Sequence, residues 1–416
     1  MKTSVILPFS LSLLVCATLP TSAQSIMDRI KQAAKNKANS TATPTAPAAT
    51  PATPATPAAA PATTATPTDP AAASAATAPA AGAAAAPADT SASTPANLAV
   101  YQNYDFVPGD TILFADDFTT TQDGEFPDQW ELLKGQAVVN QQAGRPALLL
   151  TEGNYARLTP RVKSKSYLGP IYTIEFDTYI PPNGSYGPMI FLENEKSEEG
   201  SVHVNESGAE YANSNTFGLS APYPASLAGS FRAHWRHVAI AVKNSQLKVY
   251  VDQFRILTVP DMHNTFSSIG IGGIGGLEQP LIYTNFRVAS GGGMNTIGQK
   301  FTDAKIVTHG INFDVDKATL RPESMGTLNQ IKRILTDNPD LKFEIDGHTD
   351  NSGTSAHNVI LSQHRADAVK GQLVSMGIDA SRLTTKGLGD TKPMTTNDTP
   401  EGKANNRRVE FVRITG

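Results

Sequence analysis

The chain has 416 residues, with 34 Lys and Arg against 38 Asp and Glu, for a formal net charge of −4. That balance gives no basic footprint for nucleic acid. The lone cysteine, Cys16, excludes an intrachain disulfide framework.

In chain order, Met1-Lys2-Thr3, the apolar run from Val5 through Val15, and Thr21-Ser22-Ala23 read as a secretory signal peptide over 1–23. Cleavage after Ala23 would leave Gln24 first and remove Cys16, so the mature chain would use no disulfide in an oxidising compartment. Lipidation of Cys16 is the alternative, but Val15 stands where a lipoprotein signal needs a small residue. Residues 24–37 are compatible with a short amphipathic helix, capped by Ser25, with Ile26, Ile30, Ala33 and Ala34 on one face. Either a docking peptide or a solvated tail fits that pattern. From 38 to 98 the chain is almost only Ala, Pro, Thr and Ser, which cannot bury enough apolar surface to offset its ordering entropy. The expectation is a disordered, polyproline-rich tether that reaches on the order of 150 Å or more. No later stretch approaches the roughly 20 apolar residues of a spanning helix. No series of alternating strands with aromatic girdles suggests a transmembrane barrel.

Residues 99–290 read as all-β. In Tyr172-Thr173-Ile174-Glu175-Phe176-Asp177-Thr178-Tyr179-Ile180 the alternation puts Tyr172, Ile174, Phe176, Thr178 and Ile180 on one face. Val238–Val242 and Leu247–Val251 read as a hairpin about Lys243-Asn244-Ser245-Gln246. Asp252-Gln253 turns again into Phe254–Leu257. Many short strands with polar turns argue for a sandwich. Phe114-Ala115-Asp116-Asp117-Phe118, the paired hairpins and Tyr283-Thr284-Asn285-Phe286-Arg287-Val288 together resemble a concanavalin A-like, or laminin G-like, jelly roll.

Gly291-Gly292-Gly293 opens an expected hinge over 291–304. Beyond it the pattern predicts strand 305–311, helix 323–337, strand 341–347, helix 355–376, and strands 382–388 and 407–413. Val359, Ala366, Val369, Leu373 and Met376 form the core stripe of the second helix, with Asn358 and Arg365 beside it. Gly347-His348-Thr349-Asp350 places a carboxylate at the end of an apolar strand, and Arg365 puts a guanidinium on the following helix. Such a pair suits a zwitterionic amino-acid centre: an anion for the α-ammonium and a planar two-donor cation for the α-carboxylate.

Ordered segments across 305–416 resemble an OmpA-like peptidoglycan-binding domain. They are Ile311-Asn312-Phe313-Asp314-Val315-Asp316 with Leu320 and Pro322; Gly347-His348-Thr349-Asp350; Asn358 with Leu361-Ser362 and Arg365-Ala366; Gly377-Ile378 with Arg382-Leu383; Gly387-Leu388-Gly389; and Asn405-Asn406-Arg407-Arg408-Val409-Glu410. Lys403 departs from the usual Arg but keeps the charge. The resemblance implies that Asp350 and Arg365 hold the diaminopimelate of a peptidoglycan stem peptide. It also implies that Asn358, Asp314, Arg407 and Thr349 line the same pocket. The fold class expected is therefore multidomain: a disordered tether, an all-β jelly-roll sandwich and an α+β OmpA-like domain of order βαβαββ.

Four further constellations carry residues with possible chemistry. Concanavalin A-like glucanases carry Glu-x-Asp-x-Glu on one strand, because hydrolysis needs two carboxylates across the bond. Here Glu175-Phe176-Asp177-Thr178-Tyr179 has Tyr179 in place of the second glutamate, so no enzyme is expected. Asp116 and Asp117 are weak calcium candidates, with an acidic strand cap as the plainer reading. Trp130 and Trp235 can stack on a sugar ring or pack in the core. His348 beside Asp350 and Ser352 lacks a nucleophile elbow and reads as structural. No cofactor is expected. The expected partner is peptidoglycan, with a glycan or envelope protein as a further partner of the sandwich, in a periplasmic, outer-membrane-associated setting. The competing reading is a lectin or adhesin whose sandwich carries the main function.

Overall fold

The computed structural model describes residues 104–292 and 304–414, apart from 185, 197–198 and 215–216. The signal peptide, the short helix and the tether read over 1–98 lie outside the described residues.

The first described region is all-β. Its strands are β1 (Thr111–Asp116), β2 (Trp130–Gln142), β3 (Arg145–Pro160), β4 (Ile171–Tyr179), β5 (Met189–Glu193), β6 (Glu199–Val204), β7 (Gly208–Asn213), β8 (Gly218–Pro222), β9 (Trp235–Lys243), β10 (Gln246–Val251), β11 (Phe254–Val259), β12 (Ser268–Gly275) and β13 (Leu281–Ser290). They join in the order β11-β10-β9-β4-β13-β3-β12-β5-β6-β7-β8, with β1 added to β13 and β2 to β3. The curled strands close as a sandwich over one apolar core that includes Trp130, Tyr172, Ile174, Phe176, Val249 and Phe286. The two hairpin turns fall where the sequence places them. Lys243 pairs with Gln246, and Asn244 and Asp252 adopt positive φ of 55° and 50°. Asn and Asp tolerate that left-handed geometry best among residues with side chains.

β4 shows why its neighbourhood matters. Tyr172, Ile174, Phe176 and Ile180 enter the sandwich core as the alternation predicts. The opposite face, with Thr173, Glu175 and Asp177, is buried too. A face that alternation alone would leave to water is covered by the Gly109 amide on Thr173, by cations from neighbouring strands and by Arg321 of the C-terminal domain.

That domain runs β14 (Lys305–Thr308), α1 (Met325–Asp337), β15 (Phe343–His348), α2 (Ser355–Ser375), β16 (Leu383–Gly389), α3 (Pro400–Asn406) and β17 (Val409–Arg413). Its sheet has the order β14-β17-β15-β16, with β15 and β16 parallel and the other pairs antiparallel. Helix α3 adds one element to the order read from sequence. Its start signals are present, since the Thr399 hydroxyl accepts from the Gly402 amide and Pro400 sits in the first turn. Seven residues are too few for a periodic stripe.

The core stripe of α2 also differs from the expectation at its N-terminal end. The buried positions are Asn358, Ser362, Ala366, Val369 and Leu373, while Val359 is 37% exposed. The cause is backbone proximity. A Cβ built on Gly347 would fall on the Ser362 carbonyl oxygen, and one on Gly387 would press on the Gln363 amide at 2.5 Å. There the helix lies almost on the sheet, and small polar side chains fill the gap better than valine.

Several contacts join the sandwich to the C-terminal domain. Asn405 donates to the Ile112 carbonyl and accepts from the Ile112 amide, both at 3.0 Å. Arg287 donates to the His309 carbonyl at 3.0 Å. Gly326 of α1 lies against the Phe106 carbonyl, where no Cβ would fit. Of the expected hinge, Gly291 donates its amide to the Ile171 carbonyl, and Gly292 is pressed against Pro108. Residues 293–303 lie outside the described ones.

Candidate functional site

β15 delivers the acidic loop. Past His348 the Thr349 amide donates to the Gly389 carbonyl at 3.0 Å, which ties the loop root to β16. Asp350 follows, only 7% exposed. Its Oδ1 accepts from the Ser352 amide at 2.8 Å, and its Oδ2 accepts from Arg407 Nη1 at 2.6 Å. Asn358, buried in the first turns of α2, donates Nδ2 to the Asp350 carbonyl at 3.2 Å and closes the loop on the helix. Burial pushes the Asp350 carboxyl up. The hydrogen bond from Arg407 and the Ser352 amide outweigh it and hold the group below the usual carboxylate range. The carboxylate therefore stays ionised, with lone pairs left to accept a further donor.

Arg365 lies on the same helix, about two turns beyond Asn358. Its Nε donates to the Lys317 carbonyl at 2.9 Å, and its guanidinium carbon lies 5.0 Å from the centroid of the Phe313 ring. Among the described residues no hydrogen bond is made by its two terminal nitrogens. Burial pushes its pKa down, with Arg407 acting in the same direction and the Asp316 and Asp350 charges opposing. Asp350 and Arg365 thus feel one another's charge without forming an ion pair; the direct partner of Asp350 is Arg407, whose side chain remains 44% exposed. Thr349 is buried, and its hydroxyl has no partner among the described residues. Asp314 is exposed, and its amide donates to the Thr319 carbonyl across the turn that also supplies Lys317. Sequence reasoning missed Phe313 and Lys317 as the support of Arg365. Phe313 lies within the quoted Ile311–Asp316 segment, but nothing in that string marks its ring as a platform.

In this four-stranded α+β domain a central strand leads into an ionised aspartate, beside a helix that carries a braced guanidinium. Residues 312–407 match the OmpA family and form an OmpA family domain. Over 102 residues the chain is 43% identical to the probable lipoprotein YiaD of Escherichia coli (strain K12), covering 24% of this chain and 47% of that protein. It is also 43% identical, over 102 residues, to the peptidoglycan-binding protein ArfA of Mycobacterium bovis, covering 24% of this chain and 31% of that protein. Among solved structures, the peptidoglycan-associated lipoprotein from Burkholderia pseudomallei is 31% identical. That match covers 25% of this chain and 88% of that one, with a TM-score of 0.24. The chain spans about half or less of the length of these two curated relatives.

The remaining candidates make contacts within the fold. Asp116 accepts from the Phe118 amide at 2.8 Å and from Trp130 Nε1 at 3.0 Å, so both its oxygens serve the fold. Asp117 accepts from the Thr119 amide and hydroxyl. Among the described residues no group of three or more His, Cys, Asp or Glu could hold a metal ion. Trp130 is fully buried in the sandwich core. Trp235 borders a cleft of about 160 Å³, also lined by Arg145, His237, Asp252, Arg321 and Glu323. The Arg145 guanidinium lies 5.1 Å from the centroid of its ring. His348 is buried and neutral, its pKa pushed down to about 4 by burial and by the Arg408 cation.

Glu175 and Asp177, the partial match to a glucanase strand, are bound by cations. Arg287 holds Glu175 at 2.6 Å, and Asp177 receives Arg145 at 3.1 Å, His237 at 2.9 Å and Arg321 at 3.3 Å. Burial pulls the His237 pKa down, but its hydrogen bond to Asp177 and the Glu175 carboxylate 3.7 Å away outweigh burial and push it up to about 10. A raised histidine pKa stabilises the fold fully below its unfolded value of about 6.5 and loses that contribution as pH rises toward the folded value. The thermal midpoint of the full chain should therefore fall between pH 7 and 10, and His237→Gln should flatten that slope. An identical slope in the variant would show that His237 is not the titrating group.

Proposed function

We propose that this protein anchors non-covalently to peptidoglycan through diaminopimelate of the stem peptide and links the wall to the outer membrane or to an envelope partner. The observation that carries this reading is the joint placement of ionised Asp350 and braced Arg365 in an OmpA family domain. Asp350 would accept the ligand's α-ammonium, while the terminal nitrogens of Arg365 would grip its carboxylate as a fork. Arg407 would keep Asp350 ionised and lend a second cation at the rim. Charge-assisted hydrogen bonds contribute about 1.5–3 kcal/mol each. After association entropy is subtracted, single-site affinity is modest. The repeating wall offsets this through rebinding.

The names of the curated relatives support an envelope setting, and the N-terminal signal pattern supports export. The role is non-enzymatic. The cations bound to Glu175 and Asp177 count further against glycan hydrolysis.

Co-sedimentation of the full chain with purified sacculi tests the reading. Binding should be released by soluble diaminopimelate-containing stem peptide, and it should weaken as salt rises, because the site is partly open to water. Sedimentation that ignores the peptide but is released by a soluble glycan would move the main function to the sandwich, as in a lectin or adhesin.

A further inference from the structure

We propose that Asp177 of the sandwich, acting through Arg321, positions Arg365 in the ligand pocket, so that the first domain is part of the mechanical support of the site. The inference rests on the wall-anchoring reading for the identity of the ligand. Its geometry is independent of that reading.

The connecting element is the segment from Ile311 to Arg321, a closed strap. Phe313 bridges Leu320 across it. The Arg321 amide donates to the Asn312 carbonyl at 2.9 Å, the Asp314 amide to the Thr319 carbonyl at 3.1 Å, and the Lys317 amide to the Asp314 carbonyl at 3.1 Å. One end of the strap serves the pocket. Phe313 supplies the ring under the Arg365 guanidinium, and Lys317 supplies the carbonyl that takes its Nε–H. Asp316 accepts from His357 Nε2 at 2.7 Å and ties the apex to the first turn of α2.

The other end is held by the sandwich. Arg321 Nη2 lies 3.3 Å from Asp177 Oδ2, and its Nε lies 2.7 Å from Glu323 Oε1. Asp177 is a fixed post. Its side chain is 3% exposed, and it also binds Arg145 of β3, His237 of β9 and Asn285 of β13. Four elements therefore converge on one carboxylate in the middle of a sheet.

The physical consequence concerns the plane of Arg365. A guanidinium recognises a carboxylate by two parallel N–H bonds, so its orientation must be set before the ligand arrives. Here the Phe313 ring and the Lys317 carbonyl set that plane, and both belong to the strap. Releasing Arg321 removes the strap's charged attachment to a rigid element. Arg365 then regains rotational freedom, and binding must supply the ordering it previously found ready. Supporting contacts on rigid elements matter for this reason. Coupling of this kind is reciprocal, so ligand on Arg365 also tightens the junction between the two domains.

The test uses the full chain and a diaminopimelate-containing stem peptide. Arg321→Gln keeps length but removes charge, Arg321→Lys restores the charge, and Asp177→Asn removes it from the opposite side. Titration should show Arg321→Gln and Asp177→Asn each weakening binding about three- to tenfold, with Arg321→Lys recovering most of the loss and circular dichroism unchanged. In nitrogen-15 spectra without ligand, the Arg365 Nε–H should lose exchange protection in Arg321→Gln and regain it in Arg321→Lys. Wild-type affinity in Arg321→Gln, with an unchanged Arg365 signal, overturns the proposal. If the wild-type chain fails to bind the peptide, the wall reading falls, and the Arg365 signal alone then decides whether the strap positions this side chain.

Discussion

Asp350→Ala and Arg365→Ala should each lower the affinity of the full chain for a diaminopimelate-containing stem peptide by more than tenfold, about 1.4 kcal/mol. The reasons differ at the two positions. Removing the Asp350 carboxylate leaves the ligand ammonium without its anion and also strips Arg407 of its 2.6 Å partner. An unpaired cation then faces the incoming ammonium, so the loss exceeds that of one contact. Removing Arg365 leaves the ligand carboxylate facing the bare Phe313 ring. Arg365→Lys should recover little, because a point charge reproduces neither the two-donor fork nor the stacked plane. Titration calorimetry measures the affinity, with circular dichroism as the folding control. Wild-type affinity in a folded Asp350→Ala or Arg365→Ala variant would sink the pocket.

Periodicity and turn chemistry made much of this legible in the sequence. The alternation in β4 identified its core face, and Asn244 and Asp252 marked their turns through their tolerance of positive φ. The charges of the candidate site were legible in the sequence, but their pairing was not. Asp350 and Arg365 were named from their string, yet the string does not say that Arg407 supplies the ion pair while Arg365 rests on Phe313. Those contacts join positions 57 and 52 residues apart, and only the closed tertiary structure sets them. The second face of β4 was illegible for the same reason. Glu175 and Asp177 look like an exposed acidic pair in one strand, and their burial comes from cations on β3, β9 and β13 and from Arg321 of the C-terminal domain. The stripe on α2 failed locally, since a hydrophobic periodicity presumes room for side chains, and the glycines of β15 and β16 leave none.

Those glycines carry the second large effect. Gly347→Ala should destabilise the C-terminal domain by about 1–3 kcal/mol or more, the range for overpacking a close contact. The new methyl would fall on the Ser362 carbonyl oxygen, with the Ser362 carbonyl carbon at 3.0 Å and its Cα at 3.3 Å, so backbone rather than a pliable side chain must move. Sliding α2 outward would also pull the Ser362 hydroxyl from the Gly389 amide, now 2.9 Å away, and Asn358 Nδ2 from the Asp350 carbonyl. Stability and ligand affinity should therefore fall together. Gly371 lies on the same helix, where a Cβ meets nothing within 4 Å. Gly371→Ala should stabilise by about 0.5–1 kcal/mol, since alanine loses less backbone entropy in a helix. Urea unfolding of both variants, followed by peptide titration, measures the contrast. A Gly347→Ala protein as stable as wild type would mean that α2 does not rest on the sheet at this distance, and the placement of Asn358 and Arg365 around Asp350 would fall with it.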